Sequence, residues 1–158
     1  MSAVEGRTEL VHATSVALRT SAGWCGVLLT GPAGAGKSDL ALRLMERGWR
    51  LVADDYSRVW RSGTSIYAAL DPGKGDRIAG LIEARGLGPV SVAPVRPLVR
   101  IGLVVRCRQA QAERLPDPAT LEILGASVPV VDVDVRPASA PGLVERALKQ
   151  RREVATGL

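Results

Sequence analysis

The residues Gly31-Pro32-Ala33-Gly34-Ala35-Gly36-Lys37-Ser38 fit the P-loop pattern G-x-x-x-x-G-K-[ST] at every fixed position. The spacing has a chemical reason. Glycines let the backbone curl and turn consecutive N–H groups inward, which makes an anion-binding nest. A helix starting at the end of the loop adds the positive end of its dipole. Lys37 supplies a mobile charge for the outer phosphates of a nucleotide, and the Ser38 hydroxyl can ligate Mg²⁺. The chain has eighteen arginines and only three lysines, yet the motif position holds lysine.

Arg50-Leu51-Val52-Ala53-Asp54-Asp55 follows, a short strand that ends in adjacent carboxylates. One can hold Mg²⁺ through water and the other can take a proton from an attacking hydroxyl. Adjacent carboxylates repel, so a nearby cation or a raised pKa is expected. Further on, Leu81-Ile82-Glu83-Ala84-Arg85-Gly86-Leu87-Gly88-Pro89-Val90 gathers a carboxylate, a guanidinium and glycines. Arg85 beside glycines can approach a phosphate closely, and Glu83 can complete a metal site. An ordinary Glu-Arg pair before a turn would read the same way. His12 is the only histidine; taken alone, such a residue is more often structural than catalytic.

These groups need elements to position them. Gly26 to Thr30 is an apolar strand candidate, and Ser38 to Arg47 reads as helix, with Leu40, Ala41, Leu44 and Met45 on one face and Gly48 as its C-cap glycine. Leu10 to Leu18 suits a strand, a turn over Arg19 to Trp24 follows, and the pair predicts a hairpin with the P-loop strand. Tyr56 to Trp60 and Thr64 to Ala68 predict a second hairpin about Ser62-Gly63. Asp71 to Asp76, with Lys74, reads as loop, Leu98 to Val105 as a buried strand, and Gln109 to Pro118 as a polar loop holding Glu113 and Arg114. Leu121 to Leu124 is expected to be a helical turn. Val128 to Val135 reads as a strand with Asp132 and Asp134 on a solvated face. Pro141 suits the first turn of a last helix with Leu143, Val144, Ala147 and Leu148 on its apolar face. Strands outnumber helices and hairpins recur, so the fold class is α/β with a mixed sheet rather than a purely parallel one.

Composition sets the bounds. The chain has 158 residues, of which 46% are hydrophobic, and these are expected to form one domain over 1–158 with an aliphatic core, since Phe is absent and only three Trp and two Tyr occur. Net charge is +5, spread as arginines, which suits phosphates or an acidic partner. No dense basic run with interleaved aromatics argues for nucleic acid. Cys25 and Cys107 lack ligand spacing and read as buried thiols of a reducing compartment. With no signal peptide and no long apolar run, the protein is expected to be soluble and cytoplasmic, without a membrane partner.

Taken together, three segments resemble the catalytic C-terminal domain of the bacterial HPr kinase/phosphorylase family. They are the P-loop running into Arg47-Gly48-Trp49-Arg50-Leu51-Val52-Ala53-Asp54-Asp55, then Ile82-Glu83-Ala84-Arg85-Gly86-Leu87-Gly88, and Glu113-Arg114-Leu115 followed by Ile123-Leu124-Gly125. The resemblance runs from about His12 to the last helix. It implies a carboxykinase-like fold and a kinase that uses ATP and Mg²⁺ on a serine of an HPr-like phosphocarrier protein, as a homo-oligomer, with a hexamer as the family's assembly. It implies nucleotide binding by Gly31, Pro32, Ala33, Gly34, Ala35, Gly36, Lys37, Ser38 and Arg85, and Mg²⁺ at Ser38, Glu83 and Asp54. Asp55, assisted by Asp54, would be the base, Lys37 and Arg114 would stabilise the phosphoryl group in flight, and His12 would be the active-site histidine. The family commonly has a separate N-terminal domain, and this chain is expected to be a short form that begins at the catalytic one. Where the family reads valine-arginine-proline-glycine-arginine, this chain has Val135-Arg136-Pro137-Ala138-Ser139, from which weak phosphorolysis is expected. Two other readings fit the motifs: a small-molecule kinase on a carboxykinase-like cradle, and an ATP sensor without phosphotransfer.

Overall fold

In a computed structural model, described for residues 7–71, 73, 80–92, 95–114 and 116–155, the P-loop strand sits inside a nine-stranded mixed sheet. The elements in order are β1 (Thr8–Val11), β2 (Ala13–Thr20), β3 (Gly23–Thr30), α1 (Lys37–Met45), β4 (Arg50–Ala53), β5 (Ser57–Ser62), β6 (Ser65–Ala69), β7 (Leu81–Ala84), β8 (Gly88–Ser91), β9 (Leu98–Arg108), β10 (Ala119–Ile123), β11 (Ala126–Asp134) and α2 (Ala140–Ala155). The sheet runs β1-β5-β6-β9-β3-β2-β4, and β11 pairs with β9 and carries β10. The β3–β9 and β9–β11 pairs are parallel and the other pairs of this sheet antiparallel. β7 and β8 form a separate antiparallel pair. Both hairpins expected from sequence are present, and so is the mixed sheet.

Apolar alternation splits the core in two. On one face, Val27, Leu29, Leu103 and Val105 pack under α1 and α2 through Leu40, Leu44, Val144 and Leu148. On the other, Leu28, Val59, Ile66, Val104 and Val130 form a second cluster made by strands alone. Along α1, Leu40, Ala41 and Leu44 are fully buried and Met45 is half-buried. The helix ends where Gly48, at φ 95°, donates to Met45 O and Trp49 donates back to Leu44 O.

Four expectations are corrected. The Leu10–Leu18 strand is broken at His12, with β1 on β5 and β2 on β3 and β4; β2 runs to Thr20, and the hairpin turn shrinks to Ser21-Ala22, held by Thr20 Oγ1 donating to Gly23 O. Leu121 to Leu124 is not helical: Ala119–Ile123 is a strand against β11, and Leu124 and Gly125, at φ 50° and 82°, make a two-residue turn. Such turns ordinarily announce themselves by Asn-Gly or Asp-Gly, and Leu-Gly hides the signal. Leu143 is half exposed, because the buried stripe of α2 follows Ala140, Val144 and Leu148 at spacing four. Asp132 and Asp134 are ion-paired rather than simply solvated, to Arg106 and Arg136. Lys74 and residues 72 and 75–76 of the expected 71–76 loop lie outside the described residues, as does Leu115; Asp71 is buried and paired with Arg58. Among the described residues no helix is long and apolar enough to cross a membrane.

Candidate active site

Strand β3 delivers the chain to the loop, and α1 leaves it at Lys37. Two glycines are required there by space. At Gly31 a Cβ would lie 3.0 Å from the carbonyl of Cys107 on β9, so the loop can lie against its neighbour only without a side chain. Gly36, the N-cap of α1, has φ 98°, and a Cβ there would run into Val135 Cγ2 at 2.8 Å. No side chain caps α1, so the N–H groups of its first turn point at the cradle, where an anion would sit. Lys37 is buried, and its Nζ donates to the carbonyls of Gly31 (2.7 Å) and Pro32 (3.0 Å), which holds the ammonium over the loop. The outer wall is braced by Arg43 of α1, whose guanidinium donates to Val135 O and Pro137 O. Gln109 Nε2 donates to Gly34 O at 2.9 Å.

The carboxylates beside the loop have different partners. Asp54 Oδ1 accepts from Ser38 Oγ (2.7 Å) and Thr14 Oγ1 (2.9 Å), and Asp54 Oδ2 accepts from the Glu83 N–H (3.0 Å). Asp55 Oδ1 accepts from His12 Nε2 at 2.9 Å, and the imidazole stacks on Tyr56 with ring centroids 5.0 Å apart. Asp55 has φ 68°, in the left-handed region that Asp tolerates better than most residues. The repulsion expected between neighbours is relieved because each carboxylate turns to its own hydrogen-bond donors. Thr14 ties the halves together, donating to Asp54 and accepting from the Asp55 N–H at 3.1 Å.

Ser38, Asp54, Asp55, His12 and the backbone of Glu83 therefore meet at one end of the P-loop. The carboxylate of Glu83 is exposed, as is Arg85 in the turn of the β7–β8 hairpin. Arg114 is exposed in the connection after β9 and makes no hydrogen bond or ion pair with this group among the described residues. Sequence reasoning missed Thr14, Tyr56, Arg43 and Gln109, whose roles come from contacts across elements. A Ser/Thr two residues after the histidine was the only local hint for Thr14.

Ser38 Oγ and Asp54 Oδ1, 2.7 Å apart, are hard oxygen donors of the kind Mg²⁺ selects. Among the described residues no cluster of three or more His, Cys, Asp or Glu side chains is suited to a metal. Cys107, under the loop, has its thiol pushed up to about 12 by burial, against the opposing charges of Lys37 and Arg43, and is inert near neutral pH.

Strand, glycine loop, helix and paired carboxylates on a mixed sheet define a P-loop phosphate-binding domain. The chain belongs to the family described as HPr Serine kinase C-terminal domain, whose model matches residues 8–157. It is 40% identical over 123 residues to the HPr kinase/phosphorylase of Chlorobium limicola, an alignment covering 71% of this chain and 37% of that protein. It is 36% identical over 141 residues to the HPr kinase/phosphorylase of Leptospira biflexa serovar Patoc, covering 80% and 43%. The chain thus spans about two fifths of the length of these curated relatives. Its fold is similar to that of the HPr(Ser) kinase/phosphatase from Coxiella burnetii, with a TM-score of 0.74 at 24% identity over 94% of this chain and 93% of that one.

Proposed function

We propose that this domain transfers the γ-phosphoryl group of ATP to a serine hydroxyl of a small HPr-like phosphocarrier protein. The observation that carries the reading is the division of labour between adjacent carboxylates: Asp54 is bound to the P-loop serine, and Asp55 to an imidazole. The loop N–H groups and Lys37 hold the phosphates. Ser38 and Asp54 would hold Mg²⁺, which when bound neutralises charge on the phosphates. Asp55 takes the proton of the incoming serine; His12 occupies one of its oxygens and leaves Oδ2 for that proton. The serine oxygen then forms its bond to the γ-phosphorus as the bond to ADP breaks. Glu83 completes the metal site, Arg85 approaches a nucleotide phosphate, and Arg114 engages the phosphoryl group once the carrier has docked. The chain works in the cytoplasm as a homo-oligomer, hexameric like the family, without nucleic-acid or membrane partners.

The names of the relatives, HPr kinase/phosphorylase, support the carrier as substrate. A small-molecule kinase would use the same cradle; a pure ATP sensor has no need of the His12–Asp55 pair. Incubation with γ-labelled ATP, Mg²⁺ and purified HPr-like carrier tests the proposal. Label on a carrier serine is expected. Label on a metabolite, or none, would replace this reading with one of the other two. Mass measurement in solution tests the assembly.

A further inference from the structure

The groups that would carry transfer occupy one flank of the P-loop. Asp54, Asp55 and His12 lie at the ends of β4 and β2, on one side of β3 in the sheet; β9 and β11 lie on the other. A nucleoside triphosphate laid over the loop with its γ-phosphate toward the carboxylates points its other end to the opposite, β9 flank. There the carboxyl ends of parallel strands open a crevice, the usual ligand position in open α/β sheets. A groove occupies this flank in two adjoining parts that share Pro32, Cys107 and Arg108. Gln109 holds its outer end shut against Gly34 O. At its inner end Arg106 Nε lies 2.9 Å from Asp132 Oδ1, a committed ion pair. Arg108 stands 3.9 Å from the other Asp132 oxygen and is 57% exposed, so its guanidinium plane is largely uncommitted. No lining residue is aromatic. A flat ring entering the groove finds one planar partner, and guanidinium planes stack on π-systems.

We propose that this groove holds the nucleoside of the phosphoryl donor, with the base stacked on Arg108. The proposal rests on the reading of the loop as an ATP site and adds the residue that distinguishes a nucleotide from a bare phosphate chain. Equilibrium binding of ATP and of inorganic tripolyphosphate, each with Mg²⁺, tests it in the full chain. Wild-type protein is expected to bind ATP more tightly than tripolyphosphate. Arg108→Ala should lose about tenfold in ATP affinity and change less than about twofold for tripolyphosphate. Retained tripolyphosphate binding also shows that the variant is folded. Arg108→Lys, which keeps the charge and loses the plane, should behave like Arg108→Ala toward ATP. Equal losses for both ligands would make Arg108 an ordinary phosphate contact and overturn the proposal; so would unchanged ATP affinity, or rescue by lysine. Failure of wild-type protein to bind either ligand would instead overturn the P-loop reading beneath it.

Discussion

His12 Nε2 lies 2.9 Å from Asp55 Oδ1, and one residue earlier Asp54 faces away to Ser38. The arrangement predicts different defects for two similar substitutions. Asp55→Asn should keep Mg²⁺-dependent ATP binding and lose about 10²–10⁴-fold in transfer rate, since an amide cannot accept the serine proton. Asp54→Asn should weaken Mg²⁺-dependent binding first. Titrations and single-turnover rates separate the two, and the opposite pattern would exchange the roles of base and metal partner.

Lys37→Ala should abolish transfer and weaken nucleotide binding, because the outer phosphates lose the ammonium held over the loop. Wild-type turnover in that variant would remove the P-loop from the mechanism.

Gly36→Ala and Gly34→Ala separate crowding from strain. Both positions have positive φ, 98° and 83°, but only at Gly36 would the new methyl meet another residue, Val135 at 2.8 Å. Gly34→Ala should cost about 1–2 kcal/mol for a left-handed alanine. Gly36→Ala should cost more and displace the start of α1, so that thermal unfolding and ATP binding both suffer. Equal melting points for the two variants would contradict the contact.

The parts of the candidate site that depend on local spacing are legible in the sequence. Gly31 to Ser38 and Asp54-Asp55 are contiguous strings, and the strand-loop-helix order around them follows from apolar pattern and glycine. What was not legible depends on contacts between distant segments. Thr14 matters because β2 pairs with β4 and brings its hydroxyl to Asp54, forty residues away. His12 needed the family resemblance, since nothing local marks the strand break that turns it toward Asp55. The β10 strand is hidden in the sequence because Leu124, at φ 50°, adopts a conformation its residue type rarely announces. Arg85 stands out by its place beside glycines and Arg114 only through the family resemblance, and the fold leaves both exposed.

Glu145 ties α2 to the turn that follows α1. Glu145 of α2 accepts from Arg47 Nε (2.9 Å) and Nη2 (2.8 Å) and from Trp49 Nε1 (2.9 Å). These bonds, Arg47's first, hold its carboxyl below the usual value of 4.5. A depressed folded pKa contributes stability above the unfolded value, and that contribution is lost as pH falls through the folded one. Glu145→Gln keeps an acceptor for Trp49 and removes the charge. Its urea midpoint should fall below wild type at neutral pH, and the gap should close as pH falls from the ordinary carboxylate range through the lowered folded value. A gap that persists in acid would assign the effect to packing instead.

The reverse reaction that the family resemblance implies is phosphorolysis of the carrier's phosphoserine by inorganic phosphate. That reaction must hold an extra dianion beside phosphoserine, which calls for free positive charge and close backbone. The family pattern supplies glycine-arginine after valine-arginine-proline, and this chain has Ala138-Ser139, both exposed. Arg136, the guanidinium that remains, is already engaged: its Nε and Nη2 each lie 2.9 Å from an oxygen of Asp134, and its N–H reaches the same carboxylate at 3.1 Å. The pairing holds the Asp134 carboxyl below its usual range, so Arg136 arrives at the site with its charge largely answered. Arg43 also fixes the backbone at Val135 and Pro137, limiting how far the segment can move toward a phosphate. Kinase activity should therefore be retained while phosphorolysis is weak or absent. Mixing phosphorylated carrier with millimolar inorganic phosphate and following pyrophosphate gives the measurement. The double substitution Ala138→Gly with Ser139→Arg should raise its release. Brisk release from the wild-type chain would show that these two positions, and the Asp134 pairing of Arg136, do not limit the reaction.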